Sequence, residues 1–455
     1  MGKKVRKVLS VILSIMMVLS LAACGTKTET VTPAPSETKA AAAEPAATPA
    51  EPAATPAEKV SLTMWHLQVT EPMPTIIQDS MDRYMADNPN STVEVTVMQN
   101  DAYKTKLQIA MSSGSMPDIY PHWSGGPMNE YIESDKVADI TDLMNMSNYK
   151  DRFMDAAVNQ ASYKDKIWAV PVENIAVAMV FYNKELFAKY SLQIPKTVSE
   201  LEATCETLKK NGIIPFSLAN KTQWTGSMYY MYLVDRAGGA GAFNSAASRT
   251  GSFENEAFTL AGNTLQKWVK NDYYNKGFNG LDEDSGQSRT LLYTGKAAMI
   301  VMGSWFISTV TGENKDFISK VGSFPFPAMD GGKGDPNSVV GTVGDNFYSV
   351  ASSCKNIPEA FKAITYLIDD TAVAKRQEAG KIPPIKGVKV SDPLLQAVLD
   401  AVQKAPSVQL WYDQYLPPEL GQLHKDTSQA IFGLAKTPEE VNKEMEAAAA
   451  KFYGK

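Results

Sequence analysis

Three histidines, three cysteines and no recognisable nucleophile are what this 455-residue chain offers to catalytic chemistry. His66, His122 and His424 stand singly, outside any HExxH pair, and there is neither a GxSxG elbow nor a CxxC motif. Asp282-Glu283-Asp284 has the acidity of a calcium loop. Gln287 stands where an EF-hand needs glycine and Tyr293 where it needs glutamate, so the triplet reads as an exposed acidic loop. Gly238-Gly239-Ala240-Gly241 lacks the strand and the acidic partner of a dinucleotide fingerprint and reads as a turn. Neither a cofactor nor a metal is expected.

Aromatic side chains are plentiful instead. Of seven tryptophans, Trp65, Trp123, Trp224, Trp305 and Trp411 fall at expected strand ends or in loops. An indole outside the core suits a ligand with an apolar C–H face, whose burial contributes about 25 cal/mol per Å². Sugar rings have such a face and an equator of hydroxyls, which Asp, Asn, Glu and His can bind, most strongly where a charge assists. Glu173-Asn174 and Asp413, just behind Trp411, fit that scheme.

These residues need elements to hold them. Val60, Leu62 and Met64 alternate with polar residues in a half-buried strand that ends at Trp65-His66. Ile77, Met81, Tyr84 and Met85 form one face of a helix that stops before Pro89. Val93, Val95 and Val97 mark a second strand, and Tyr103, Leu107, Ala110 and Met111 a second helix closed by Gly114. A third strand, Pro117–Tyr120, leads to His122, Trp123 and Gly125-Gly126. Strand–helix alternation predicts an α/β fold with a parallel, doubly wound sheet, whose ligand crevice lies beyond the strands' carboxyl ends. Trp65, His66 and Trp123 share that edge. Further on, Ala297–Met302 reads as a short buried strand, and Gly303-Ser304 turns it into Trp305. Trp224-Thr225-Gly226 reads as a loop between apolar segments, and Val339–Ala351, with Gly344-Asp345-Asn346 inside it, as one strand.

Several of these stretches carry a resemblance in consistent order. Gly295-x-Ala297-Ala298-Met299 followed by Gly303-x-Trp305, Tyr182-Asn183-Lys184-Glu185-Leu186-Phe187, and Trp411 through Asp426 (WYDQYLPPELGQLHKD) resemble the extracellular sugar-binding proteins of solute-binding family 1. The resemblance implies two lobes, each a doubly wound, mostly parallel sheet, with the ligand cleft between them. It places residues 59–169 and 339–388 in the first lobe and 170–338 and 389–455 in the second. It also implies that Trp305 and Trp411 stack on sugar rings while Asp413 binds hydroxyls. Glu173 or Asn174 follows the Pro of the first crossing, where some members touch the sugar. With Trp65, His66 and Trp123 from the first lobe, Trp224 from the second and Asn346 from the return strand, these residues make up the expected site. The function implied is capture of an oligosaccharide and delivery to the permease subunits of an ABC importer, by a monomer without enzymatic activity.

The amino terminus supplies an address. Lys3, Lys4, Arg6 and Lys7 precede an apolar run ending in small residues, the pattern of a secretory signal over residues 1–23. Leu21-Ala22-Ala23-Cys24-Gly25 resembles a bacterial lipobox, which implies a diacylglycerol on Cys24 and anchoring at the outer face of the cytoplasmic membrane. Two acyl chains hold where a single one is marginal. Residues 24–58 read as a tether, with the unit EPAATPA repeated twice. Removing the leader takes four basic residues and moves the net charge from −6 to −10, which argues against nucleic acid as a partner. Cys205 and Cys354 then remain and read as small core residues, although a disulfide between them stays open. A rival from another class is a lipid-anchored glycoside hydrolase working through a carboxylate pair such as Glu173 and Asp413.

Overall fold

The computed structural model describes residues 59–454. The secretory signal, Cys24 and the tether therefore lie outside the described residues.

Alternating apolar residues build the first sheet. Strands β1 (Val60–His66), β2 (Ser91–Val97) and β3 (Ile119–His122) run parallel in the order β2-β1-β3, joined by helices Met73–Asp87 and Asn100–Ser113. Gly114, in the left-handed region with φ 72°, closes the second of these helices. The first sheet gains β4 (Val170–Pro171) only after an excursion through short helices.

The chain then enters a second sheet through β5 (Ile175–Asn183). This strand is IAVAMVFYN, apolar on both faces and buried throughout except at Tyr182, as a central strand must be. Around it gather β6 (Ile214–Phe216), β7 (Ala297–Gly303), β8 (Val321–Phe324), β9 (Val339–Val343) and β11 (Val408–Gln409), while β10 (Phe347–Val350) returns to the first sheet between β3 and β4. Two separate apolar clusters sit beneath the two sheets, so the molecule is a two-lobed α/β protein. Cys205 lies in one cluster and Cys354 in the other, both free, which rules out a bond between them.

Three features differ from the sequence reading. The second sheet is mixed rather than mostly parallel: β5 runs antiparallel to β7, β8 and β9. A run of apolar residues records burial and carries no strand direction. The stretch expected as one strand over Val339–Ala351 is two, β9 in the second sheet and β10 in the first, so the return crossing falls at Gly344–Asn346 rather than at residue 339. Gly344 (φ 98°) and Asn346 (φ 53°) make the bend. Trp224-Thr225-Gly226 opens a helix, Trp224–Gly238, instead of lying in a loop. Its cap comes from a distance: Asn220 Oδ1 accepts from Gly226 N at 2.9 Å, and Thr225 Oγ1 donates to Ala219 O at 2.6 Å.

The lobes are joined by three crossings. Val172–Asn174 leads out, Gly344–Asn346 leads back, and the segment after helix Asp370–Glu378 leads out again to helix Pro393–Lys404. The crossings are stitched together by Asp345 N donating to Asn174 O (3.0 Å) and Ile175 N to Ile382 O (2.8 Å).

Candidate functional site

A large cleft opens between the lobes, with a volume of about 1180 Å³ including its mouth. Its first wall is built from the carboxyl ends of the first sheet: Gln68 and its neighbours after β1, Asn100 and Lys104 in the helix after β2, and Trp123 after β3. This is the position the doubly wound topology assigns to a ligand. The second wall holds Trp224, Met228, Met231, Asp284, Arg289, Trp305, Trp411 and Asp413. Asp345, Asn346 and Lys381 come from the crossings and form the floor.

The second wall is an aromatic platform. Trp305 packs against Trp224 with ring centroids 6.0 Å apart and edge-on against Trp411 at 5.9 Å. Gly303 makes this possible, since a Cβ there would come within 2.0 Å of the Trp305 indole. The Trp305 carbonyl accepts from Ser308 Oγ at 3.0 Å and Thr309 Oγ1 at 3.2 Å in the first turn of the helix that follows. Trp224 keeps a buried Nε1 with no protein partner. An unpaired indole N–H costs about 1–3 kcal/mol until something accepts from it.

The first wall mixes polar Gln68, Gln99, Asn100 and Lys104 with apolar Leu67, Val69, Met73 and Trp123. Lys104 lies with its ammonium 4.6 Å from the Trp123 ring centre, a cation–π contact that covers part of that indole. Burial pushes the Lys104 pKa down; Asp413 and Asp345 act against this. Burial also pushes Asp345 up to about 6, opposed by Lys381 and Lys104 and reinforced by Glu173.

Trp123, Trp224, Trp305, Asn346, Trp411 and Asp413 thus converge on the cleft. Trp65, His66, Glu173 and Asn174 do not line it. Trp65 points the other way from Met64 and His66, as strand alternation requires, and lies under Lys106 at 4.3 Å. His66 is buried and its Nδ1 accepts from Gln68 N at 3.2 Å, which makes it the Nε2–H tautomer. Burial drives its pKa down to about 4, so it is neutral at pH 7. Glu173 is fully buried behind Lys381 and paired with Arg376 Nη1 (2.9 Å) and Lys381 Nζ (3.1 Å). Burial alone would raise its pKa, but the two cations outweigh that and hold the carboxyl below its usual range. Asn174 turns its Nδ2 to Ile175 O at 2.7 Å.

The acidic triplet is also not an exposed loop. Glu283 is buried against Arg289 and Ser288, Asp282 pairs with Lys221 at 2.9 Å, and Asp284 Oδ2 accepts from Asp101 N across the cleft at 3.1 Å. Arg289, six residues later and also bonded to Glu313, is what turns the loop inward. Sequence reasoning missed Gln68, Lys104, Asp284, Arg289, Asp345 and Lys381. Among the described residues no cluster of His, Cys, Asp and Glu could hold a metal ion.

The two walls touch around this cleft. Besides the Asp101–Asp284 bond, Gly126 lies so close to Leu416 that a Cβ would sit 2.1 Å from its carbonyl oxygen. Gly312 approaches the Glu71 carbonyl in the same way, at 2.0 Å.

A family model described as bacterial extracellular solute-binding protein matches residues 68–374, from the first wall to the helix before the third crossing. The chain belongs to that family. It is 24% identical over 335 residues to the multiple sugar-binding protein of Streptococcus mutans, covering 72% of this chain and 76% of that one. It is 26% identical over 236 residues to an uncharacterized ABC transporter extracellular-binding protein of Pyrococcus horikoshii, where the match spans half of each chain. Among solved structures, one from a study of xylan utilization by Caldanaerobius polysaccharolyticus superposes with a TM-score of 0.81 at 32% identity, covering 86% of this chain and all of that one. A chitin oligosaccharide binding protein superposes with a TM-score of 0.80 at 24% identity, over 86% and 98% of the two chains; at that identity the likeness is one of fold.

Proposed function

We propose that the chain captures an oligosaccharide in the cleft and hands it to the permease subunits of an ABC importer. The observation that carries this is the contiguous indole group of Trp224, Trp305 and Trp411 facing a wall that carries the amides of Gln68, Gln99 and Asn100 and the ammonium of Lys104, across a cleft of about 1180 Å³. The half-buried Trp224 and Trp305 offer stacking for sugar rings, with the buried Trp411 packed behind Trp305, and side chains such as Asn346, Gln68 and Asp413 can meet the hydroxyls. The name of the Streptococcus mutans protein supports the same ligand class. Asp284, Asp345 and Asp413 outnumber Lys104 among the lining charges with no ion pair, which favours a neutral sugar over an acidic one. In this reading the mature protein is a monomer held by a lipid on Cys24 at the outer face of the membrane, with two lobes that close on the ligand about the three crossings. Family-wide hinge closure of this kind is a general property of periplasmic binding proteins.

The hydrolase reading loses its proposed pair. A general acid needs a raised pKa and access to the scissile bond. Glu173 has neither, being sealed behind Lys381 and paired with two cations.

A thermal-shift screen over neutral oligosaccharides tests the function. A ligand at a hundred times its dissociation constant adds about 2.7 kcal/mol. Stabilisation by one sugar class, with the sugar recovered intact, supports capture; no shift with any sugar, or recovery of cleaved products, sinks it.

A further inference from the structure

Gln68 lies in the first wall, and both ends of its amide are engaged. Its Oε1 accepts from Lys381 Nζ at 3.2 Å, and its Nε2 donates to Asn346 Oδ1 at 3.3 Å. Lys381 also donates to Glu173 Oε2 at 3.1 Å and faces Asn174 Oδ1 at 3.4 Å. An ammonium has three N–H donors, so none of Lys381's is left for a ligand. Glu173 and Asn174 stand in the first crossing, Asn346 in the second and Lys381 in the third. One hydrogen-bonded chain therefore runs from a cleft side chain through all three segments that join the lobes.

We propose that Lys381 is a positioning residue for ligand recognition, setting the orientation of the Gln68 amide from the hinge. An amide flipped at Gln68 would turn its NH₂ toward the ammonium, donor against donor, and its carbonyl toward Asn346 Oδ1. Held as it is, Gln68 keeps one N–H and one lone pair free. That donor–acceptor pair matches a sugar hydroxyl, which both donates and accepts. Glu173, itself gripped by Arg376, fixes Lys381 in turn, so the amide is aligned only while the crossings keep this arrangement. The assignment rests on the carbohydrate reading of the cleft.

A double-mutant cycle on binding tests it, by calorimetry with whichever of xylotetraose, cellotetraose, maltotetraose or raffinose the parent binds. Lys381→Met and Gln68→Ala should each weaken binding at least tenfold. The double variant should be no more than about twofold weaker than Gln68→Ala alone, because residues acting through one another do not add. A merely structural lysine would give losses that multiply, to a hundredfold or more, and that result overturns the assignment, as does parental affinity in Lys381→Met. Should Lys381→Met fail to fold around a buried Glu173 that keeps only Arg376 as its cation, Glu173→Gln takes its place in the cycle with the same expectation and the same refutation. A parent that binds neither these four sugars nor any other oligosaccharide of the thermal-shift screen refutes the carbohydrate reading, and this assignment with it. A binding parent with multiplying losses refutes the assignment alone.

Discussion

Replacing Asp345 by asparagine should stabilise the ligand-free protein at neutral pH. The Asp345 side chain sits in the second crossing, where burial pushes its pKa from 3.8 up to about 6. Lys381 and Lys104 face it and oppose that rise, while Glu173 adds to it. The folded state therefore holds the proton more tightly than the unfolded chain. Stability from this group is fully present below about pH 4 and is lost as the pH climbs through 6. Roughly two pKa units at about 1.36 kcal/mol each amount to about 3 kcal/mol above pH 7. Asparagine has nearly the shape of the protonated acid and never ionises. Urea unfolding of parent and variant at pH 4, 5, 6 and 7.5 should show a difference near zero at pH 4 that grows to about 3 kcal/mol at pH 7.5. A difference independent of pH, or a variant less stable than the parent at pH 7.5, would refute the reasoning.

The close approach of the lobes and the amino terminus each give a further expected outcome. Gly126→Ala puts a methyl 2.1 Å from the Leu416 carbonyl oxygen, where real contacts stay above 3.0 Å, so the walls must part by about 1 Å. Gly126 itself lies outside the left-handed region, so each lobe should fold normally; solution scattering should show impaired compaction on adding sugar, with binding at least tenfold weaker, and unchanged scattering and affinity would contradict this. Cys24→Ser should leave sugar binding intact and release the protein from the membrane fraction; a variant as membrane-bound as its parent would remove the lipid anchor from the proposal.

Much of the first lobe was legible because half-buried strands alternate. Leu62, Met64 and Val93 mark β1 and β2 unambiguously, and the strand ends carry the first wall. Trp305 was legible for a related reason: a fully apolar strand meeting Gly303 can only turn, and the side chain just past that turn is presented to the crevice. The misses have physical causes. Trp65 and His66 were grouped with Trp123 by their strand ends, but side-chain parity sends Trp65 away and local packing buries His66. Lys104 looks in sequence like any lysine on an amphipathic helix, and only the fold lays it across Trp123. Gln68, Asp345 and Lys381 are far apart in the chain and meet because three crossings converge. Glu173 was read as a ligand contact, and its burial between Arg376 and Lys381 depends on partners about two hundred residues away.

Whether the second-lobe indoles hold a sugar is tested most directly by calorimetric titration and thermal unfolding of the parent and Trp305→Ala, with one oligosaccharide. Trp305 is half-buried, with part of its ring open to the cleft, so its truncation should cost below the roughly 3–5 kcal/mol of a buried aromatic. Saturable one-to-one binding by the parent, weakened at least tenfold (about 1.4 kcal/mol) in the variant, is the predicted result. A large loss of stability with affinity preserved would return Trp305 to the core and contradict the stacking platform.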